Sequence, residues 1–271
     1  MASMRRICSR AALAAVGLSW LACGGLSVQQ ERAAADDFMV QVRREMDLLG
    51  EPVVVGYVEA IGREILRHSP PQPFTFHFYV VDDDRINAFA GPAGHIFVNT
   101  GTILKARNLS ELAGVIAHEI GHVVERHVAA NAGRRRTAGL LQRIGVYAAA
   151  ILAGPYAANA ANLGGGLAMM GVLNRFGRQA EREADDFAVD ALLRAGIDPD
   201  GLVSFFELLS REGGSGVPEF LSSHPAPAAR ARDTRARIAA RAPAAGLRRS
   251  DGGRLEIIQR RIQILTRRRS R

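Results

Sequence analysis

Two histidines four residues apart, His118 and His122, with Glu119 directly after the first, form an H-E-x-x-H pattern inside a mostly apolar run. On an α-helix, residues four apart lie one turn above each other on one face, so both imidazoles can point at a single metal ion. Glu119 falls one position further round, close enough to reach a metal-bound water but turned away from the metal. These residue types at this spacing predict a zinc hydrolase site: two histidine ligands, and a carboxylate that takes a proton from water.

Such a centre needs a third protein ligand and an open position for water. The metzincin pattern, H-E-x-x-H-x-x-G-x-x-H, fails here, because Glu125 and Val128 occupy its Gly and final His positions. His127 is one residue out of register and is assigned to another helix face, as a hydrogen-bonded or exposed side chain. The run Glu181-Arg182-Glu183-Ala184-Asp185 offers the alternative. Glu181 and Asp185 share a face, so Glu181 can bind the metal while Asp185 accepts from the outer nitrogen of a ligating histidine. Glu183 and Asp186 are assigned to the surface. His224, in a loop before Pro225, is open to three readings: ligand, donor to the transition state, or ordinary loop residue.

The elements that must hold these residues follow from periodicity and punctuation. A helix is predicted from Gln30 to Gly50 and another after Pro52, with Val54, Val58, Ile61, Ile65 and Leu66 on its apolar face. Phe74–Val81, Ile86–Ala90 and His95–Asn99 read as strands, the last two joined by Gly91-Pro92-Ala93-Gly94. Together they predict a small antiparallel sheet directly before the histidine helix. Its edge, along Asn87, Ala88 and Phe89 or the neighbouring strand, would bind an extended peptide through main-chain hydrogen bonds. Asn108 or Ser110 caps the histidine helix, with Glu111 in its first turn. Two apolar helices are predicted over 139–152 and 160–173, interrupted by Gly, Pro and Asn so that no clean membrane span results. Further helices are predicted from Arg178 to Ala195, from Pro199 or Asp200 onward, after Pro225, and over Leu255–Leu265. The fold class expected is α+β, mostly α: a zincin-type peptidase domain of the His-His-Glu kind.

The 271 residues include 48% hydrophobic and 23% charged side chains, a globular profile. The net charge of +8 resides largely in the segment after Pro225, and no aromatic-rich basic motif turns it into a nucleic-acid site. The chain opens with Arg5, Arg6 and Arg10, then an apolar stretch from Ala11 to Ala22, the form of an export signal. Leu21-Ala22-Cys23-Gly24-Gly25 resembles a lipoprotein cleavage site. Cys8 and Cys23 are the two cysteines, and Cys8 lies in the part removed, so no internal disulfide is expected. The organisation predicted is a signal peptide over 1–22, a metallopeptidase domain over 23–240 and a basic helix and tail over 241–271. The mature protein would be periplasmic and held at the outer membrane by lipid on Cys23.

From about Gly50 to Arg230 the chain resembles the HtpX-like and CAAX-prenyl-protease-like zinc metallopeptidases. It is most similar to the soluble periplasmic branch that serves outer-membrane β-barrel quality control. The resemblance rests on Asn87-Ala88-Phe89 with Gly94-x-Ile96-Phe97-Val98 and Gly101, and on Glu111-Leu112-Ala113 leading into His118-Glu119-x-x-His122. It continues through Asn174, Glu181-x-x-Ala184-Asp185, Ser223-His224-Pro225 and Arg230. It implies His118, His122 and Glu181 as ligands of one Zn2+, Glu119 as the base, and a loop that brings His224 near the metal. In such enzymes that histidine stabilises the tetrahedral intermediate or caps the zinc in a resting form. One departure is Gly91-Pro92-Ala93-Gly94, which replaces the family's usual Pro-Gly-Gly turn.

The function expected is a zinc-dependent endopeptidase that cleaves extended or misfolded envelope proteins by Glu119-assisted attack of zinc-bound water. His224, or Arg230 in its place, would donate to the oxyanion. The competing expectation is a non-catalytic chaperone or assembly factor of the envelope that keeps the metal for structure.

Overall fold

The computed structural model describes residues 25–131, 176–212, 220, 224, 227–241 and 245–269. The export signal, Cys23 and the apolar stretches 139–152 and 160–173 lie outside the described residues.

Helix α1 (Val28–Glu45) starts at a capping box, in which Ser27 and Gln30 each accept from the other's backbone N–H. It stops short of the predicted Gly50 because Met46 turns extended and Leu48 bridges to Val81. Helix α2 (Pro52–Leu66) has Pro in its first turn and is capped by the Glu51 carboxylate, which accepts from Val54 N–H. Its predicted face is buried at Val54, Val58, Ile61 and Ile65. Gly62 lets it sit on the sheet, since a Cβ there would fall 2.1 Å from the Phe78 ring.

The strands are shorter than their apolar runs: β1 (His77–Val81), β2 (Ala88–Ala90) and β3 (His95–Asn99). They form one sheet in the order β1-β3-β2. The β2–β3 pair is antiparallel, as expected, but β1 runs parallel to β3, with His77 opposite His95. The sheet is therefore mixed, not antiparallel throughout. Alternation of side chains is the same in both pairings, so it does not select a partner. In the β2–β3 turn Ala93 holds φ 53 and Gly94 φ 91. For a non-glycine residue the left-handed region costs about 1 kcal/mol. Here Glu31 of α1 accepts from Ala93 N–H at 3.1 Å, and its other oxygen pairs with Arg126 at 2.8 Å.

A short helix, α3 (Thr100–Lys105), leads into α4 (Leu109–Val124), the H-E-x-x-H helix. Asn108 caps α4 by accepting from Glu111 N–H at 3.1 Å. Every residue from Leu109 to Val123 is buried, which explains a helix apolar on all sides. Around α4 pack α2, β2, α5 (Arg178–Arg194) and α6 (Asp200–Glu212). The approach of α6 is close: a Cβ on Gly201 would lie 2.2 Å from the Ser110 carbonyl carbon. Helix α7 (Pro227–Ala240) covers α5 and α6.

Helix α8 (Arg254–Arg269) packs against the other described elements. Leu255, Ile258 and Ile262 enter the common core. Gln259 donates to the carbonyls of Ile103 and Ala106 at the end of α3, at 2.9 and 2.7 Å. The pattern of α8 is amphipathic, and its apolar side has a place to go. Among the described residues, no helix is long and apolar enough to cross a membrane.

Candidate metal centre

Three helices and one loop position bring the centre together. From α4, His118 and His122 project from one face, Nε2 to Nε2 at 3.0 Å. Two imidazole nitrogens on one tetrahedral Zn2+, each about 2.0–2.1 Å away, stand about 3.3 Å apart, so the pair is close to ligating geometry. From α5, Glu181 presents Oε2 at 3.5 Å from His118 Nε2 and Oε1 at 3.5 Å from His122 Nε2. The fourth group is His224, whose Nδ1 lies 3.0 Å from Glu181 Oε1 and 3.2 Å from His118 Nε2. Each of these four buried residues offers a ligand atom, all within 4.8 Å of one another. Two or three imidazoles with one carboxylate form a donor set suited to a borderline ion such as Zn2+.

The α4–α5 crossing that makes this possible runs through Gly121 and Ala184. A Cβ on Gly121 would stand 3.0 Å from the Ala184 Cα. Around the donors lies a supporting layer. Asp185 Oδ1 is 3.0 Å from His118 Nδ1, the outer nitrogen, as the spacing predicted. Arg230, from α7, is buried between two carboxylates: it pairs with Glu181 Oε2 at 2.6 Å and with Asp185 Oδ1 at 2.5 Å. Its guanidinium also lies 4.2 Å from the centre of the Phe206 ring. Phe176 stacks on His122 at 3.8 Å, and Phe220 on His224 at 4.5 Å.

Glu119 is wholly buried, and neither of its oxygens has a hydrogen-bond partner among the described residues. Its Oε1 lies 3.3 Å from His224 Nε2. Burial pushes its carboxyl above the ordinary range, against the opposing charges of His224 and His118. Burial pushes the Glu181 carboxyl up, but the His224 and Arg230 charges outweigh it and hold the group well below the usual range. His118 is pulled both ways. Burial and Arg230 oppose its protonation, but the hydrogen bonds to Asp185 and Glu181 outweigh them and place it at about 9. His122 is held well below its ordinary value, first by burial and then by the His118 charge. A buried carboxylate without hydrogen bonds costs several kcal/mol in an apolar setting, and such groups cluster at functional sites.

The residues expected to bind substrate lie on β2, which packs against α4. The backbone of Asn87 is already used: its N–H donates to Thr102 Oγ1 and its carbonyl accepts from Asn99 N–H. Antiparallel alternation then turns the N–H and C=O of Ala88 and Ala90 away from β3, toward the outer edge of β2. Both residues are buried, at 0% and 1% exposure, so this edge is covered in the structure. Phe89 faces the sheet's aromatic layer, stacked on Phe97 at 4.7 Å.

Two residues of the site were not assigned to it from sequence. His127 Nδ1 lies 3.0 Å from His122 Nδ1, and its Nε2 lies 2.8 Å from Glu183 Oε2. The reason for the miss is local. After α4 the chain turns at Glu125–Arg126, with Arg126 at φ 59, and resumes helical conformation at His127. The break re-aims His127 toward the metal face. No spacing rule carried across an unbroken helix finds it, and a non-glycine residue in the left-handed region leaves no signal in sequence.

This fold and donor set define a gluzincin-type metallopeptidase. The chain belongs to peptidase family M48, whose model matches residues 54–238. Members of that family use a metal, typically zinc. The chain is 34% identical over 218 residues to the beta-barrel assembly-enhancing protease of Escherichia coli (strain K12), covering 78% of this chain and 44% of that protein. It is 30% identical over 196 residues to the mitochondrial metalloendopeptidase OMA1 of Arabidopsis thaliana, covering 72% and 36%. It is 32% identical over 169 residues to the metalloprotease LoiP of Escherichia coli (strain K12), covering 62% and 64%. The matched region spans less than half the length of the first of these relatives.

Proposed function

We propose that the chain is a zinc-dependent endopeptidase acting on extended or misfolded proteins of the cell envelope. The ligands are His118, His122 and Glu181, and Glu119 is the general base. The observation that carries this reading is the wholly buried Glu119 carboxylate, without a hydrogen bond among the described residues and 3.3 Å from His224, beside a convergent His-His-Glu-His set. When bound, the metal supplies Lewis acidity: it polarises the scissile carbonyl and makes water acidic enough to be deprotonated near neutral pH. Glu119 accepts that proton and returns it to the leaving amine, and its raised proton affinity suits both transfers. Asp185 holds His118 Nδ1–H and so keeps the Nε2 lone pair toward the metal. Arg230 holds Glu181 and Asp185 in register. Arg230 is engaged by both carboxylates and by the His118 ring, and His224, whose Nε2 lies beside Glu119, is the candidate taken for oxyanion donation. The outward backbone of Ala88 and Ala90 would pair with an extended substrate.

One observation favours the second reading, a chaperone with a structural metal. With His224 as a fourth donor the set is closed, and closed sets are the mark of structural zinc. Glu119 supports the catalytic reading, since a structural site has little use for a buried carboxylate that makes no hydrogen bond among the described residues. His224 in the fourth position and a covered β2 edge describe a resting form, in which water and substrate enter once His224 moves. Export, lipidation at Cys23 and placement at the outer membrane belong to the same proposal and rest on the sequence of the first 25 residues.

The test is zinc content and cleavage of an unfolded protein such as casein by wild type and Glu119→Gln. The expected result is unchanged zinc and a loss of activity of at least about 1,000-fold in the variant. Equal activity removes Glu119 from the mechanism. Activity-independent complementation of a deletion strain by Glu119→Gln supports the chaperone instead.

A further inference from the structure

We infer that His127 is a positioning residue for His122, relaying the Glu183 carboxylate to the outer nitrogen of that ligand. The inference rests on the ligand set proposed above. The two metal-side histidines are supported differently. His118 has Asp185 on its outer nitrogen directly, at 3.0 Å. Among the described residues no carboxylate meets the outer nitrogen of His122; its Nδ1 faces His127 Nδ1 at 3.0 Å, and His127 Nε2 faces Glu183 Oε2 at 2.8 Å.

The protons in this chain of contacts follow from the chemistry of its ends. An ionised carboxylate only accepts, so His127 Nε2 carries a hydrogen and donates it to Glu183. A neutral imidazole then has a bare Nδ1, which is an acceptor. That acceptor, 3.0 Å from His122 Nδ1, requires the His122 hydrogen to sit on Nδ1. His122 Nε2 is thereby left with its lone pair toward the donors of His118 and Glu181. Reversing any one proton sets two N–H groups, or two lone pairs, against each other. Glu183 is held in the accepting state by Gln179, whose amide donates to its other oxygen at 2.7 Å. Phe176, stacked on His122 at 3.8 Å, leaves the ring no other plane in which to turn.

Helix α5 thus serves the centre with three carboxylates. Glu181 faces the donors, Asp185 supports His118, and Glu183 supports His122 through His127. His127 is 7% exposed, and the ring is enclosed with its two nitrogens as the only polar atoms of the side chain.

The test measures Zn2+ affinity of the full chain by chelator competition, and the visible spectrum of the Co2+-substituted protein, for four variants. His127→Leu removes the acceptor. Its Zn2+ affinity falls about 10- to 100-fold, the range for loss of a group that orients a ligand, and its Co2+ bands shift or broaden. His127→Asn keeps an acceptor oxygen near the place of Nδ1, so it restores affinity to within a few-fold of wild type. Glu183→Gln falls between the two, because an amide can present either an acceptor or a donor to His127. His122→Ala is the control for the ligand itself. If His122→Ala binds Zn2+ like wild type, the ligand assignment fails. If His122→Ala loses the metal while His127→Leu keeps it, the relay alone is overturned. Equal losses in His127→Leu and His127→Asn also overturn it, since they would report packing rather than an acceptor. Thermal unfolding in the presence of chelator identifies any variant that fails to fold, and His127→Asn then carries the comparison.

Discussion

Gly121 lies against Ala184 where α4 crosses α5, so closely that a Cβ on Gly121 would stand 3.0 Å from both the Cα and the carbonyl oxygen of Ala184. One residue beyond Gly121 is His122, and three residues before Ala184 is Glu181. The separation of two backbones therefore sets the separation of two proposed ligands. Gly121→Val forces the helices apart. Overpacking of this kind costs about 1–3 kcal/mol in stability, and the variant should also bind Zn2+ at least about 10-fold more weakly. Denaturant unfolding with and without chelator, together with metal competition, measures both. Wild-type affinity in a destabilised variant would show that the crossing does not set the site.

Asp185 is held as a carboxylate against burial by the Arg230 charge and by its bond to His118, which keep its carboxyl below the ordinary value of 3.8. A depressed carboxylate contributes stability above its unfolded pKa, and that contribution disappears as pH falls through the lower folded value. Asp185→Asn removes it at neutral pH and leaves Arg230 with one carboxylate. A loss of about 3 kcal/mol is expected, as for breaking a buried ion pair. Zn2+ affinity should fall about 10- to 100-fold, through the orientation of His118. Urea unfolding at pH 7 and at pH 3 checks the sign: the difference between variant and wild type should shrink in acid.

His224 is the fourth of the buried residues whose donor atoms converge with those of His118, His122 and Glu181. His224→Ala should lower Zn2+ affinity by about 10-fold, since one donor is lost, and should lower kcat/KM on an unfolded peptide at saturating metal, since the oxyanion donor is lost as well; a rise would mark His224 as a cap on the site alone. Stopped assays on a fluorogenic peptide with metal-buffered Zn2+ separate the two effects.

A pH effect far from the metal is expected at His95 on β3. Burial first, and the neighbouring His77 charge second, lower it from 6.5 to about 4. It stacks between His77 and Tyr79, at 5.2 and 5.6 Å. The unfolded chain takes up a proton near 6.5 while the folded one does so only near 4, so stability is full above 6.5 and declines as pH drops between these values. His95→Gln should flatten the dependence of unfolding free energy on pH across that window. An unchanged slope would place the acid sensitivity elsewhere.

The parts of this protein that periodicity reaches are those whose partners lie within one element. His118, Glu119 and His122 share a helix turn, and so do Glu181 and Asp185; a rise of 1.5 Å and 100° per residue fixes their relative placement before any tertiary contact forms. The cap Asn108 and the apolar face of α2 are local in the same way. The composition of α4, apolar on every side, already required that the helix be central.

What the tertiary structure decided concerns groups joined across elements. The pairing of β1 with β3 is parallel because the chain returns through β2, and side-chain alternation does not encode that return. The edge of β2 is covered although it reads as open. Arg230 stands between Glu181 and Asp185 because α7 folds over α5, a placement no spacing specifies. His127 and Glu183 meet for the same kind of reason. A left-handed Arg126 turns the chain after α4, and α5 arrives alongside. Sequence by itself determined which residue types could hold a metal and activate water. Only the packing of α4, α5 and α7 determined which of them share one centre, because helical geometry is set by neighbouring bonds and the meeting of helices by the burial of their faces.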